Sequence, residues 1–407
     1  MQLTDGISGK AACKWVSIVG ARPQFVKLAP VCRAIEAHNE AAALPRIEHS
    51  IVHTGQHYDP AIAELLFVQL KIPEPKHNLG IGSGTHGAQL ARMLERLEPI
   101  LVSERPDWVI AYGDTNSTLA GALLAARLHI PLAHVEAGCR SSDMAMPEEQ
   151  NRIVADHLSQ LLLAPSQSAV RNLHREGVGS GDDPRNRRVA MVGDVMYDAL
   201  LQNRILAEKG AIERLRQLHL ESKGYYLLTL HRAENTDDRN RLREILNAIS
   251  PLDLPVLFPV HPRTRNVLAD AGISLDGNLR PVAPAGYLEM LGFEKHARMI
   301  LTDSGGVQKE AFYLEVPCVT LRDRTEWPET VALGANRIAG TTAESIRDAI
   351  QANNRQDWPS ASPYGDGGAA RRIVRELLAS ANQKDSPSRV AVTAALEALD
   401  RNPEWAQ

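Results

Sequence analysis

The chain has 407 residues, 44% of them hydrophobic and 23% charged, which is the balance expected of a globular protein with large cores. That length exceeds what one hydrophobic core usually supports, and it predicts two domains. A formal net charge of -4 argues against nucleic acid as the main partner, because nucleic-acid-binding proteins present an excess of positive charge.

The N-terminus and the cysteines bear on where the protein works. Residues Met1–Lys14 lack the apolar core of a signal peptide, and no apolar run is long enough to span a bilayer. The four cysteines lie far apart, without a CxxC pair or a metal-ligand spacing: Cys13, Cys32, Cys139 and Cys318. We therefore expect a cytoplasmic protein with reduced thiols, no membrane association and no bound metal.

Short apolar runs alternate with amphipathic stretches along the chain, which is the pattern of βαβ units around a parallel sheet. A first array of predicted strands comprises Trp15–Val19, Ile47–His53, Asp107–Tyr112, Pro131–Val135, Leu161–Ala164 and Arg188–Val192. A second array comprises Tyr225–Leu230, Val256–Val260, Leu279–Ala283, Arg298–Thr302, Pro317–Leu321 and Asn336–Ile338. Helices are predicted at Thr115–Leu128, at Val195–Ser222 and from Gly367 onward, and the domain junction is placed near the second of these. The pattern predicts an α/β protein with two parallel sheets.

The first predicted strand ends in a segment that could bind a phosphate. Gly20-Ala21-Arg22-Pro23 opens a helix, and Lys27 lies one turn further on. Backbone N–H groups at a helix start, with two cations nearby, are suited to an anion. A well-capped first helix explains the same residues, and on this motif alone it is the preferred interpretation.

Three later segments place carboxylates at the edge of this sheet where ligands of open parallel sheets bind, beyond the carboxyl ends of the strands. Asp114 and Glu136 each follow a buried strand, and Glu148 lies in the first turn of a helix. Asp114 could be a helix cap and Glu148 could complement a helix dipole, but an unpaired buried carboxylate such as Glu136 is costly. Together they predict acid–base chemistry rather than a metal site, since no His or Asp lies at ligand spacing around them.

The strands of the second array end in cationic and glycine-rich segments. Two ends carry a histidine and an arginine each, which would suit a diphosphate, although a lone histidine is more often a packing residue. A third end is a Ser-Gly-Gly helix start, whose backbone donors can approach phosphate oxygens, followed by a glutamate placed to bind a ribose diol. The residues of this half-site are His231, His261, Arg263, Ser304, Gly305, Gly306 and Glu310. Neither GxGxxG nor GxxxxGK[ST] occurs, so dinucleotide and P-loop sites lose their usual support.

Ten segments, in order, resemble the non-hydrolysing UDP-N-acetylglucosamine 2-epimerase family. They are GARPQFVKLAP, HTGQHYD, GDTNSTLAG, HVEAGCRS, MPEEQNR, GDVMYDA, TLHRAEN, PVHPRT, TDSGGVQKE and TEWPE, and the match runs from roughly Val16 to Val374. The resemblance implies the fold of B-type glycosyltransferases, with two Rossmann-like domains whose sheets face a central cleft. The expected domains are residues 1–194 plus 367–407 and residues 195–366.

The resemblance also implies an activity. Such enzymes invert C2 of a UDP-linked amino sugar, interconverting UDP-GlcNAc and UDP-ManNAc for cell-surface polysaccharide precursors. They eliminate UDP to give a bound glycal and then re-add it, as a homodimer and without a cofactor. Asp114, Glu136 and Glu148 are then the acid/base candidates, and His231 lies at the catalytic histidine position. The expected contacts of the UDP-sugar are Arg22, Lys27, Arg140, His261, Arg263, Ser304, Gly305, Gly306, Glu310 and Arg322.

Two departures from the family pattern leave the sugar open. Trp327 stands in TEWPE, where members acting on UDP-N-acetylglucosamine usually read TERPE, and the loop before Pro147 is short. Both features resemble the branch acting on UDP-2,3-diacetamido-2,3-dideoxyglucuronate. Gln56-His57 match the family's activator site, but Tyr58 follows where a cation is often found. The alternatives are therefore the diacetamido-uronate 2-epimerase, a glycosyltransferase, and a UDP-sugar sensor without catalysis.

Overall fold

A computed structural model describes residues 12–56, 60–353 and 357–381 of the chain. In these residues the strands form two sheets in which all neighbours are parallel. The strands of the first sheet are β1 (Ala12–Val19), β2 (Arg46–His53), β3 (His77–Asn78), β4 (Trp108–Tyr112), β5 (Leu132–Val135), β6 (Leu161–Ala164) and β7 (Arg188–Met191). Their order across the sheet is β3-β2-β1-β4-β5-β6-β7.

The second sheet is built the same way from the later part of the chain. Its strands are β8 (Tyr226–Thr229), β9 (Val256–Pro259), β10 (Leu279–Val282), β11 (Met299–Thr302), β12 (Cys318–Thr320) and β13 (Asn336–Ile338). Their order is β10-β9-β8-β11-β12-β13. In each sheet the chain thus winds outward in both directions from a central pair, which is the doubly wound arrangement.

Helices connect the strands. Those up to the middle of the chain are α1 (Arg22–Glu40), α2 (Pro60–Leu70), α3 (His86–Glu104), α4 (Asn116–Arg127), α5 (Pro147–Leu158), α6 (Gln167–Arg175) and α7 (Val195–Gln217). The remainder are α8 (Ala233–Thr236), α9 (Arg239–Ile249), α10 (Pro262–Asp270), α11 (Tyr287–His296), α12 (Gly305–Tyr313), α13 (Pro328–Ala332), α14 (Ala343–Ala352) and α15 (Ala369–Ala381). No helix among the described residues is long and apolar enough to cross a membrane.

The described chain divides into two compact units. One contains the seven-stranded sheet up to Asp198 together with the chain from Tyr364, and the other is Ala199–Pro363. The late helix α15 packs against α1 of the first unit. The Asp198 carboxylate fixes the start of α15, because it accepts hydrogen bonds from the backbone N–H groups of Ala369 and Ala370 at 3.1 and 2.8 Å.

Each unit has its own core on its own sheet. Strands β4, β5, β6, β8, β9 and β11 are buried at every residue. Their sequences are accordingly almost continuously apolar, as expected of parallel strands covered on both faces. The four cysteines lie in these interiors as free thiols. Burying each large apolar side chain stabilises the fold by roughly 1.5–3 kcal/mol.

All twelve predicted strands are present; two have the predicted bounds, and the ends of the others shift by at most three residues. The pattern missed β3, because a two-residue strand offers no periodicity to detect. It also began β1 late, since the strand starts at Ala12 in a partly exposed, polar stretch. The helix predicted from Gly367 onward is present as α15, and the chain beyond Ala381 lies outside the described residues.

Candidate active site

The predicted site residues follow the strands at which each sheet changes winding direction, or the strands beside them. In the first sheet the change lies between β1 and β4, and in the second between β8 and β11. The crevice beyond such a switch point is where open α/β sheets bind their ligands.

The end of β1 is closely packed around Gly20. A Cβ atom at this position would lie 1.9 Å from Thr54 Oγ1 and 2.3 Å from Ser117 Oγ, so only glycine fits. The side chain of Gln24 caps the helix start, because its Oε1 accepts hydrogen bonds from the N–H groups of Gly20 and Ala21 at 2.8 and 3.1 Å. These two donors, expected to be available for a phosphate, are instead bonded within the protein, and Arg22 beside them is half-buried.

Lys27 contacts a carboxylate of its own sheet edge. Its Nζ lies 3.1 Å from Glu136 Oε1, and both side chains are buried. Gly113, at φ +61°, makes room for this pair, since a Cβ there would lie 3.2 Å from Lys27 Nζ. Glu136 itself has φ +74°, a conformation that non-glycine residues adopt only where the surroundings fix it. The sequence predicted a phosphate contact for Lys27 and did not predict this ion pair.

Asp114 is held at the neighbouring strand end. Its Oδ2 accepts a hydrogen bond from Arg152 Nη1 at 2.6 Å, and its carbonyl oxygen accepts one from Asn151 Nδ2 at 2.9 Å. Both partners lie on α5 and are buried, whereas Asp114 is half-buried. The helix therefore fixes the backbone and the carboxylate of Asp114, and these two partners were missed by the sequence analysis.

Adjacent glutamates at the start of α5 differ in their surroundings. Glu148, the acid/base candidate, is half-buried, whereas Glu149 is 1% exposed. Glu149 accepts hydrogen bonds from the N–H groups of Ser141 and Ser142 at 3.0 and 2.9 Å, and from Arg152 Nη2 at 2.6 Å. Burial alone would raise the pKa of the Glu149 carboxyl, but these donors and the arginine charge outweigh burial and lower it. The spacing of three residues between Glu149 and Arg152 on one helix was the sequence signal from which this ion pair could have been predicted.

Arg140 was expected to contact the UDP-sugar, but its guanidinium is already occupied by carboxylates. Nη1 lies 2.7 Å from Asp156 Oδ2, and Nε donates to Glu176 Oε1 at 2.7 Å. Burial would lower the pKa of Arg140, but the two carboxylates raise it above its usual range. These contacts give Arg140 a structural function and no direct support for the predicted ligand contact.

At the second sheet edge, Asp303 organises the turn after β8. This fully buried carboxylate accepts hydrogen bonds from the N–H groups of His231 and Arg232 at 3.0 and 2.9 Å, and one from Asn235 Nδ2 at 3.2 Å. The His231 side chain is 38% exposed with its Nδ1 3.3 Å from Asp303 Oδ1, and its ring centroid lies 6.0 Å from that of His261. The structure thus places the two predicted histidines side by side.

The glycine-rich segment opens α12 as predicted. Ser304 is the N-cap, with its hydroxyl accepting from the Val307 N–H at 3.5 Å, and Gly305 begins the helix. A Cβ on Gly305 would lie 3.3 Å from Trp327 Nε1, so the TEWPE segment packs beside this helix start. The face of the indole carries the Lys309 ammonium at 3.9 Å from the ring centroid, a cation–π contact.

The remaining candidates of the second unit differ in exposure. Arg322 is 1% exposed, with Nε 2.8 Å from Glu234 Oε1 and Nη1 3.0 Å from Glu326 Oε2. Its charge is therefore satisfied within the unit, as for Arg140. Arg263 is exposed and pairs with Asp237 at 2.8 Å, while Glu310 is buried on α12.

The described residues hold no group of three or more His, Cys, Asp or Glu side chains arranged to bind a metal. Of the predicted activator site, the side chain of Gln56 accepts hydrogen bonds from the N–H and hydroxyl of Ser117 at 3.1 and 2.8 Å. His57 and Tyr58 lie outside the described residues.

Comparison with known proteins decides the family. Residues 39–378 match the model of the UDP-N-acetylglucosamine 2-epimerase family. A UDP-N-acetylglucosamine 2-epimerase homolog of Methanococcus maripaludis is 48% identical over 89% of this chain and 99% of its own length. The chain belongs to the UDP-N-acetylglucosamine 2-epimerase family. It is an isomerase, as the sequence motifs predicted.

Other epimerases of this family, and one more distant structure, agree with the fold and bear on the sugar. The crystal structure of the Methanocaldococcus jannaschii enzyme, in complex with UDP-GlcNAc and UDP, is 43% identical with a TM-score of 0.82, covering 90% of this chain and 99% of that one. A Pseudomonas aeruginosa UDP-2,3-diacetamido-2,3-dideoxy-D-glucuronate 2-epimerase is 44% identical over 89% of this chain and 99% of its length. A UDP-glucosyltransferase of Polygonum tinctorium, 13% identical with a TM-score of 0.51 over 95% of this chain and 98% of that one, shares the fold alone. The predicted glycosyltransferase-like fold is confirmed.

Within this epimerase the two edges differ in what they can do chemically. The first edge offers carboxylates held beside buried cations, an arrangement that can keep an acid and a base at fixed positions. The second edge offers two imidazoles, an exposed guanidinium and a helix start with two glycines, an arrangement suited to an anionic group.

Proposed function

We propose that this epimerase interconverts UDP-N-acetylglucosamine and UDP-N-acetylmannosamine by eliminating UDP and adding it back. The observation that supports this proposal is the pair of strand ends carrying Asp114 and Glu136, each fixed by a buried cation. A pair of positioned carboxylates is what proton removal and return at one carbon requires.

A carboxylate of the first edge removes the proton from C2, the C1=C2 double bond forms, and the C1–O bond breaks with its electron pair leaving on the UDP oxygen. In the return step the same oxygen attacks C1 and a proton is delivered to the opposite face of C2. Asp114, Glu136 and Glu148 are the acid/base residues, and His231 stabilises or protonates the leaving phosphate oxygen.

The second unit supplies the UDP contacts. Negative charge develops on the diphosphate as the C1–O bond breaks, so donors aimed at it stabilise the transition state. The start of α12 at Ser304 and Gly305, with His261 and Arg263, provides such donors, and Glu310 accepts from the ribose hydroxyls. Arg22 lies half-buried at the first edge and is the remaining phosphate candidate there.

Isotope exchange tests this mechanism. Incubation of UDP-N-acetylglucosamine with the enzyme in deuterated water should place deuterium at C2 of both epimers, because the abstracted proton exchanges with solvent. Epimerisation without label would exclude proton removal at C2. Release of free UDP that depends on an added acceptor would instead identify a glycosyltransferase, and UDP binding without any exchange would identify a sensor.

The alternative sugar has the support of the 44% identity to the Pseudomonas aeruginosa enzyme, which equals the 44% identity to the Methanocaldococcus jannaschii UDP-N-acetylglucosamine 2-epimerase. In this chain the indole of Trp327 lies beside the helix start proposed to bind UDP. A panel followed by NMR, comparing UDP-N-acetylglucosamine with UDP-2,3-diacetamido-2,3-dideoxyglucuronate, separates the two. Turnover of the uronate alone would replace the first substrate while leaving the C2 chemistry intact.

We further propose that the enzyme acts in the cytoplasm as a homodimer and supplies a precursor for cell-surface polysaccharide. The family resemblance supports all three statements. Light scattering of the purified protein tests the dimer: a monomeric mass at micromolar concentration together with full turnover would contradict it.

A further inference from the structure

A buried histidine connects the two strand ends that carry the proposed acid/base residues. His134 lies on β5 with no exposed surface. Its Nε2 is 2.7 Å from the carbonyl oxygen of Gly113, and its Nδ1 is 2.6 Å from Asp156 Oδ1. The proposed mechanism gives the His134 side chain no function.

Both ring nitrogens face hydrogen-bond acceptors. The Gly113 carbonyl can only accept, so Nε2 carries a proton. The carboxylate of Asp156 already accepts from the Gly138 N–H at 3.0 Å and lies 2.7 Å from Arg140 Nη1, so it is placed to accept from Nδ1 as well. Both ring nitrogens of His134 thus face acceptors, which is the geometry of an ion pair with Asp156.

The charge state of Asp156 agrees with this geometry. Burial alone would raise the pKa of the Asp156 carboxyl, but the positive charges of His134 and Arg140 and their hydrogen bonds lower it. An ionised carboxylate between two cations keeps all three groups charged without exposure to water.

The ion pair fixes backbone on both sides of the reacting carboxylates. Gly113, the residue before Asp114, is held through its carbonyl oxygen. Gly138, two residues after Glu136, is held through its N–H group. Glu136 has φ of +74°, a conformation that a non-glycine residue keeps only where its surroundings hold it.

We propose that the His134–Asp156 ion pair is a positioning device that sets the distance between the Asp114 and Glu136 carboxylates. This inference rests on the proposed function, since it assigns a task only if those two residues act on the sugar. Misplacing reacting groups by about 1 Å can cost on the order of 10²-fold in rate, so loss of the pair should lower kcat by about that factor. UDP binding, assigned to the second unit, should not change.

Two substitutions test the two hydrogen bonds of His134 separately. In His134→Asn the amide nitrogen can take the place of Nδ1, which keeps the bond to Asp156 and loses the bond to Gly113. In His134→Gln the amide nitrogen can take the place of Nε2, which keeps the bond to Gly113 and loses the bond to Asp156. We expect kcat to fall in both, with KM and the UDP dissociation constant within about twofold of wild type. His174→Asn, on an exposed position of α6, is the matched control.

Nitrogen-15 NMR of the wild-type protein gives a readout that is independent of activity. The His134 signals, assigned by their loss in His134→Asn, should show two protonated ring nitrogens. A single protonated nitrogen would overturn the ion pair. Wild-type kcat in both folded variants, or a lower melting temperature with unchanged kcat, would overturn the positioning function. If the wild type fails to epimerise any UDP-sugar, the proposed function fails, while the NMR result stands by itself.

Discussion

At the carboxyl edge of the seven-stranded sheet, the buried Glu136 and the half-buried Asp114 are each paired with a buried cation. At the edge of the six-stranded sheet, His231 is 38% exposed and His261 and Arg263 are exposed. The first edge resembles a preorganised acid–base site, in which Asp114 and Glu136 each have a fixed cation. The second resembles a more exposed surface that is suited to binding an anion. Turnover and UDP affinity should therefore respond to different residues.

The largest effect expected from this comparison is on turnover at the first edge. Glu136→Gln should lower kcat by roughly 10²–10⁴-fold, because a general acid or base is removed. UDP affinity, measured by calorimetry, should stay near wild type. Glu98→Gln, exposed on α3, is the control. Loss of UDP binding together with turnover would make Glu136 structural and remove the contrast between the edges. Asp114→Asn should behave in the same way.

The second prediction concerns the rigidity of the first edge. Glu149→Gln should lower the free energy of unfolding by roughly 3 kcal/mol at neutral pH, because Arg152 loses its buried partner. Glu104→Gln should cost less, since its partner Lys76 is 57% exposed. Thermal unfolding measures both. An equal loss of unfolding free energy in the two variants would show that burial of the ion pair at the first edge adds nothing to stability.

The same carboxylate gives a pH dependence with a definite sign. The pKa of Glu149 is lowered on folding from its ordinary value of 4.5, so its contribution is complete above pH 4.5. That contribution is lost as the pH falls through the lower folded-state pKa. The difference in melting temperature between wild type and Glu149→Gln should therefore shrink as the pH is lowered below 4.5. A difference that grows on acidification would contradict the assignment.

A smaller effect is expected at the second edge. Ser304→Ala should weaken UDP binding by about tenfold, equivalent to about 1.4 kcal/mol, with a lesser change in kcat. Thr342→Ala removes a comparable N-cap, from α14, and controls for the loss of helix stability, about 1 kcal/mol in each case. Calorimetric titration of UDP distinguishes them. Equal UDP affinity in both variants would exclude the start of α12 from the UDP site.

The smallest effect concerns metals. The described residues contain no cluster that would bind one, and the proposed chemistry uses carboxylates and an imidazole. Treatment with EDTA should therefore leave the epimerisation rate unchanged. If EDTA abolished the activity and added Mg²⁺ restored it, part of the charge stabilisation at the second edge would come from a metal ion.

Local sequence patterns predicted the two arrays of strands, and they indicated the polar segments that follow the strands and most of the candidate residues. This was possible because apolar runs are local signals, and because the carboxyl ends of parallel strands meet at one edge. The helix start at Ser304 and Gly305 could be predicted directly, since a helix cap and its glycine are neighbours in the chain. The motifs also identified the family.

Packing in the tertiary structure shows which charged side chains are already paired within the protein. Arg140 and Arg322 were expected to contact the ligand, but carboxylates of their own units bind both. Lys27 pairs with Glu136 across more than a hundred residues, and His134 meets Asp156 from another element. Such pairs depend on how strands and helices pack, and no local pattern encodes the distance between their side chains. Residue types thus suggest the chemistry, whereas packing shows which charged groups are paired within their own unit.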